Sequence, residues 1–350
     1  MQAPAASVLA PADLEQGRIK PPAGDPLTMP NVIVVCTYFF LGVILYTGYF
    51  GTNADALDEV SLPWSISAVQ QVIGSALIVL LWVFKLRPVP RLAMTNIKAI
   101  APIAVCHTLS HVFTAIGLGG DHSYYYDTDF AAILVMPTHP LFNTLFSAIF
   151  LKHTFSRWVY PALVLVIAGG ALMFVEPPDY YWSTMVGVIG FNLAASMCTI
   201  LAKRSMGMDM GGNMSPVNLY GVVAVLSLAM FLPVWIIMEG SAIEDLWEAY
   251  CITGQELTVL ILSSGVFLHF YNDVTFRCLG HLHPMTHAVG SILKHAYFLA
   301  VSTIDDYAYY ELTGLAFMGS GFATAGVLLY ILAETVKALP TQREGRAIRA

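Results

Sequence analysis

The sequence predicts an all-α polytopic membrane protein with ten transmembrane helices arranged as two inverted five-helix repeats. Three observations carry that expectation. Hydrophobic residues make up 57% of the chain, charged residues only 11%, and mean hydropathy is +0.68, a balance foreign to soluble domains. Apolar stretches of about 20 residues, the length that crosses a hydrocarbon core about 30 Å thick, recur along the chain. Basic residues gather on one side of those stretches only.

In chain order the stretches cover 32–50, 63–84, 97–118, 130–150, 157–175, 183–203, 217–237, 257–276, 284–303 and 310–333. Gly48 and Gly51 in the first, and Gly117, Gly119 and Gly120 in the third, are expected to end or kink those helices. With the stretches alternating in direction, Arg18, Lys20, Lys85, Arg87, Arg91, Lys98, Lys152, Arg157, Lys203, Arg204, Arg277, Lys337, Arg343, Arg346 and Arg349 share one side, 15 of the 16 basic residues. The opposite loops carry acids, among them Asp55, Asp58, Glu59, Asp127, Glu239, Asp245 and Asp305. Both termini are therefore expected on the cytosolic or equivalent side. The net charge of −7 comes from that acidic side, so no nucleic-acid partner is expected; the lipid bilayer is.

Residues 1–30, rich in Ala and Pro, read as a flexible cytosol-side tail without a cleavable signal. Residues 31–333 form the ten-helix domain, with repeats over 31–175 and 183–333, and 334–350 form a basic tail. The fourth and ninth stretches echo each other in Met136-Pro137-Thr138-His139 and Pro284-Met285-Thr286-His287. Halves with an odd helix number must be inverted relative to one another, an arrangement that suits alternating access. Cys36, Cys106, Cys198, Cys251 and Cys278 have no paired spacing and read as buried thiols. Trp64, Trp82, Trp158, Trp182 and Trp247 near stretch ends are expected to anchor the membrane interface. Met206, Met208 and Met210 mark a Gly-rich flexible connector.

Lys294 is the basic residue left over, and it falls near half depth of the ninth stretch. A lone charge there is unfavourable by about 2.5 to 3.5 kcal/mol on insertion scales, so Lys294 is expected to face a polar cavity and an anionic partner. Residues three and four apart share a helix face, which aligns His287, Ser291 and Lys294, with His295 beside them. The same spacing aligns His107, His111 and Thr114 in the third stretch. In the eighth, Tyr271, Asn272 and Asp273 interrupt an apolar run. A divalent-cation site on His107 and His111 is the alternative for these histidines. Asp273 is the only intramembrane carboxylate to support it, and Lys294 opposes it, so neither metal nor cofactor is expected. The HxxxH run lacks the Glu of a zinc protease, and no enzyme activity is expected.

These residues resemble a known family, the triose-phosphate and sugar-phosphate/phosphate translocators, with the related nucleotide-sugar transporters of the drug/metabolite transporter superfamily. Cys106-His107-Thr108-Leu109-Ser110-His111-Val112 resembles the family's CHTxxHV run. Phe270-Tyr271-Asn272, then His283-Pro284-Met285-Thr286-His287-Ala288-Val289-Gly290 followed by Lys294, resembles its Ser-Pro-x-Thr-His-x-Val-Gly block. Phe191-Asn192-Leu193 with Lys203-Arg204-Ser205-Met206 resembles its sixth helix.

The resemblance implies antiport of a phosphorylated sugar or three-carbon phosphate against inorganic phosphate, in a plastid or a Golgi or ER membrane. It places substrate contacts on His111, Thr114, Tyr271, Lys294 and His295, with His107, Met136, His139, Cys198, Asn272, His287 and Ser291 lining the cavity. Lys offers phosphate a point charge, and Tyr, Thr and His offer directional hydrogen bonds. The chain departs from the family at three cations: His295 replaces Arg, Met136 a second Lys and Cys198 a common Arg. Hydrogen bonds to charged groups contribute about 1.5 to 3 kcal/mol each, so two losses would weaken phosphate binding by orders of magnitude. A nucleotide-sugar transporter and a non-transporting membrane scaffold or sensor are the readings those departures leave open. An insertion at 121–127 lengthens the loop before the fourth stretch.

Overall fold

The computed structural model describes residues 29–119, 139–173, 182–284, 286–288 and 314–338. Regular structure among them is helical, apart from a single bridge between Arg91 and Gly212. The helices are α1 (Met29–Glu59), α2 (Pro63–Val83), α3 (Met94–Leu118), α4 (His139–Phe150), α5 (Val159–Met173), α6 (Trp182–Met206), α7 (Pro216–Glu239), α8 (Ile243–Thr253), α9 (Gln255–His281) and α10 (Gly314–Ala338). Among the described residues six helical stretches are long and apolar enough to cross a membrane. Of the predicted ninth stretch, only 284 and 286–288 are described, and all four are helical.

Burial does not follow hydropathy as it does in a soluble protein: beside apolar Ile66, Ile100 and Phe231, polar side chains are also inside, and many apolar ones are outside. Asn53, Gln70, Gln71, Thr108, Asn143, Asn192, Ser227, Ser264 and His269 are inside, while Phe40, Val79, Leu145, Val164, Ile237 and Leu328 are exposed. In hydrocarbon, apolar surface gains nothing by turning inward, so helices associate through close packing and side-chain hydrogen bonds. That explains which faces meet. Gln70 Nε2 donates to Asn53 Oδ1 (2.8 Å) and Ser264 Oγ (2.9 Å), joining α1, α2 and α9. Thr108 Oγ1 donates to Ser227 Oγ (3.0 Å) and Ser227 in turn to Gln71 Oε1 (3.2 Å), joining α3, α7 and α2. Asn143 Nδ2 donates to Ser196 Oγ (3.0 Å), joining α4 to α6.

The main helix pairs in contact are α1 with α9, α3 with α6, α2 with α9, α3 with α7, α2 with α7, α2 with α3, α7 with α9, α4 with α6, and α5 with α10. Small residues allow the closest approaches. A methyl group on Gly187 of α6 would overlap the Gly117 backbone of α3. On α5, a methyl at Gly169 would lie 2.5 Å from the Gly319 carbonyl oxygen, and one at Gly326 of α10 would lie 2.6 Å from that of Ala162.

The helix starts follow from local chemistry. α2 and α7 each open on a proline, whose missing N–H is one that a first turn leaves unpaired. Ser215 Oγ accepts from the Asn218 N–H at 3.4 Å to cap α7. α2 is capped by another helix: the Glu239 carboxylate, at the end of α7, accepts from the N–H groups of Ser65 (2.7 Å) and Trp64 (3.3 Å). A carboxylate also suits the positive end of the helix dipole.

Several expectations are corrected. α1 does not stop at Gly48 or Gly51 but runs to Glu59, taking Asp55, Asp58 and Glu59 out of a loop and into its last turns. Gly48 serves packing instead, since a Cβ there would sit 2.9 Å from the Phe267 ring of α9. Trp64 is not exposed as an interface anchor would be, whereas Trp82 is half-buried. Trp64 is buried against Phe231, and Trp82 Nε1 donates to Asn218 Oδ1 at 3.1 Å. Trp158 and Trp247 are exposed, as an anchor requires. Cys198 and Cys278 are buried, but Cys36 and Cys251 are exposed on the apolar outer surface. α8 was not foreseen: it carries Glu244, Asp245 and Glu248 together with exposed Ile243, Trp247 and Ile252, the mixture of an interfacial helix.

The connector after α6 is likewise tied down. Arg91 N–H donates to Gly212 O (2.8 Å), Asn213 Nδ2 to Val89 O (3.1 Å) and Asn218 Nδ2 to Pro88 O (2.8 Å). Met210 is buried in the core with Ile100 and Leu219. Gly211 has φ +101° and abuts the Arg91 carbonyl so closely that a side chain would collide with it, so only glycine fits.

Candidate functional site

At the centre of the bundle, α2, α3, α7 and α9 enclose a narrow cavity. Its wall includes Gln70, Gln71 and Ser75 of α2, His107 and His111 of α3, Tyr220 of α7, and His269 and Asn272 of α9. One helical turn separates the two α3 histidines, and their rings meet edge to face with centroids 4.9 Å apart. The Tyr220 ring stands 5.6 Å from His269 and 6.1 Å from His107. Every described lining side chain is uncharged or an imidazole. Such a site offers neutral donors and acceptors in a low-dielectric setting, where each hydrogen bond is strengthened.

A second cavity lies between α1, α9 and the start of the ninth stretch, lined by Tyr38, Phe39, Tyr271, Thr275, Cys278 and His287. Tyr271 packs against Tyr46 at 5.4 Å, and His287 stacks on Phe39 at 5.9 Å. The expected site residues thus fall in two groups: His107, His111 and Asn272 at the central cavity, and Tyr271 and His287 next door. Thr114 Oγ1 donates to the Ser110 carbonyl at 2.9 Å along its own helix. Cys198 is buried in the apolar core that also holds Ile103 and Val223. The His139 carbonyl, at the start of α4, accepts from Asn143 Nδ2 at 3.0 Å. Lys294, His295, Ser291 and Met136 lie outside the described residues.

Gln71, Ser75 and His269 did not stand out in the sequence as ligands. Polar residues at 70, 71 and 75 inside an otherwise apolar stretch were the available signal.

Below the cavity, Asp273 forms a bidentate pair with Arg87 (2.8 and 2.9 Å), and Arg277 Nε donates to it at 3.1 Å. Two guanidinium groups therefore occupy the carboxylate that a cation site on the histidines would have needed. Lys203 Nζ donates to the carbonyls of Leu279 (2.8 Å) and Gly280 (3.3 Å), two of the orphan acceptors at the end of α9. Arg87, Arg91, Lys203 and Arg277 are thereby drawn together at one end of the bundle.

Apolar helix faces outside and a polar cavity within suit a membrane transport protein. The profile of the Triose-phosphate Transporter family matches residues 31–331, and the chain belongs to that family. It is 26% identical over 298 residues to the Arabidopsis thaliana chloroplastic phosphoenolpyruvate/phosphate translocator 1, covering 85% of this chain and 71% of that protein. It is also 27% identical over 312 residues to the chloroplastic xylulose 5-phosphate/phosphate translocator of the same plant, covering 85% and 71%. A triose phosphate/phosphate translocator of non-green plastids from Brassica oleracea var. botrytis is 26% identical over 298 residues, covering 85% and 72%. A crystal structure with 16% identity aligns over 87% of this chain and 99% of its own with a TM-score of 0.52, a likeness of fold.

Proposed function

We propose that this protein is an antiporter of the plastid membrane that exchanges a phosphorylated sugar or three-carbon phosphate for inorganic phosphate by alternating access. The observation that carries the reading is a buried polar cavity between α2, α3, α7 and α9 in a member of this family. The relatives named above are phosphoenolpyruvate/phosphate, xylulose 5-phosphate/phosphate and triose phosphate/phosphate translocators, which supports the substrate class. Lys294 supplies the anion-binding charge. His111 and Thr114 on α3, Tyr271 on α9, and His295 complete the substrate contacts.

Two inverted repeats provide the moving parts. Exchanging α1, α2, α3 and α5 with α6, α7, α9 and α10 turns the α1–α9 contact into α6–α3, and α2–α9 into α7–α3. The α2–α7 and α5–α10 contacts map onto themselves. Side chains support the same relation. Trp82, near the end of α2, bonds Asn218 near the start of α7 (3.1 Å), and Trp235, near the end of α7, bonds Ser65 near the start of α2 (3.0 Å). Each Trp and each partner stands at the same offset from its helix's opening proline.

The charge of Lys294 also accounts for obligatory exchange. Occluding an empty site would bury an uncompensated cation, whereas phosphate or a phosphate ester neutralises it, so the return step requires a counter-substrate.

The test is reconstitution in liposomes, with uptake of labelled phosphate and of three- and six-carbon phosphates measured with and without internal counter-substrate. Saturable, trans-stimulated uptake that falls about 100-fold or more in Lys294→Ala is the expected result. Full exchange in that variant would refute the role of Lys294. Uptake of nucleotide sugars alone would establish the nucleotide-sugar reading.

A further inference from the structure

We infer that the central cavity contains a second, uncharged subsite, formed by Gln71 and Ser75 of α2 and His269 of α9, that binds the hydroxyl-bearing half of the transported phosphate ester. The inference rests on the exchanger reading above and adds residues that reading does not use.

Four polar atoms of residues that line this cavity have no protein partner: Gln71 Nε2, Ser75 Oγ, and both ring nitrogens of His269. Their side chains are almost wholly buried, with 8%, 6% and 1% of each residue exposed. Polar atoms sequestered from water are normally paired, and an unpaired group in a membrane interior is strongly unfavourable. Several on residues that line one cavity therefore mark a place for an occupant.

The hydrogen-bonding character of the wall selects that occupant. Ser227 Oγ donates to Gln71 Oε1 at 3.2 Å, which leaves Gln71 Nε2 as the amide atom without a protein partner. Ser75 offers a donor and an acceptor. A neutral imidazole offers one nitrogen of each kind. Hydroxyls donate and accept, so a polyol or keto-polyol can satisfy the whole set. A phosphate dianion only accepts, and would face the acceptor nitrogen of His269 with no cation among the described lining residues.

Gly74 keeps the imidazole open. A methyl group there would lie 3.6 Å from His269 Cβ and from Nδ1, in ordinary van der Waals contact, so Gly74→Ala fits the packing while covering Nδ1. Alanine also favours the helix over glycine, which makes this a fold-preserving probe.

The experiment measures competition by dihydroxyacetone phosphate and by inorganic phosphate against labelled phosphate uptake in proteoliposomes. Gly74→Ala and Ser75→Ala are each expected to raise the ratio of the organic to the inorganic half-inhibition value about ten-fold, the size of one lost hydrogen bond. An unchanged ratio, as for a wall that holds only water, overturns the subsite. An equal loss for both competitors overturns it too. If wild type moves no phosphate, the exchanger reading fails, and thermal stability of the detergent-purified protein decides the subsite separately. Extra stabilisation by dihydroxyacetone phosphate over phosphate that Gly74→Ala removes upholds it, and no such difference overturns it.

Discussion

The α5–α10 pair and the α2–α3–α7–α9 centre lie in one bundle yet are joined by opposite means. Val159, Ala162, Val166, Val327 and Ala333 make the first seam dry, and Gly169 and Gly326 bring its backbones nearly into contact. The second seam is wet in character: Gln71, Thr108 and Ser227 bond across it, and Gln71 Nε2, Ser75 Oγ and the His269 nitrogens stay unpaired. A dry seam of small residues has one good arrangement, because any displacement opens a void that lipid cannot fill. A polar seam with spare donors and acceptors can exchange partners, so it suits the region that receives a substrate and moves.

The largest effect that would sharpen this contrast comes from crowding the dry seam. Gly169→Leu or Gly326→Leu forces apart backbones that are already within about 2.5 Å of an added Cβ, and is expected to lower stability by about 3 kcal/mol. Gly321→Ala on α10 meets nothing within 4 Å and serves as the control in thermal unfolding of the purified protein. If Gly169→Leu unfolds no earlier than that control, the dry seam is not the rigid one.

A smaller effect is expected at the ion cluster closing the basic end. Arg87→Ala leaves the buried Asp273 with only the half-exposed Arg277, which should destabilise the protein by about 2 to 3 kcal/mol. The double variant with Asp273→Asn should recover part of that loss, because no unpaired charge then remains. Unfolding midpoints across the four-member cycle check this, and a double variant no better than the single would exclude charge pairing as the cause.

The smallest effect tests the repeat. Trp82→Phe and Trp235→Phe each remove one hydrogen bond across the α2–α7 contact and should each lower stability by about 1 kcal/mol. Unequal losses, with one near zero, would break the equivalence of the two halves.

Much of this architecture was legible because membrane helices announce themselves by length and hydropathy alone. What escaped was settled by neighbours. Gly48 reads as a helix breaker until Phe267 of α9 is laid against it. Trp64 and Trp82 read as interface anchors by position, yet the partners that draw them inward, Phe231 and Asn218, lie far away in the chain. The same holds for the site. His107 and His111 were found by helical spacing and Asn272 as a break in an apolar run, and the three do share a cavity. Gln71 and Ser75 were passed over because lone amides and hydroxyls in an apolar helix usually bond a nearby carbonyl, and spacing cannot reveal that these do not.

The stitching of 207–215 onto 84–93 gives this molecule a seam that does not depend on covalent continuity. Arg91, Asn213, Asn218 and Lys203 tie the segments before and after 207–208 together at that end without help from the peptide bond between them. A chain cut there is expected to reassemble from its two pieces when both are inserted in one bilayer.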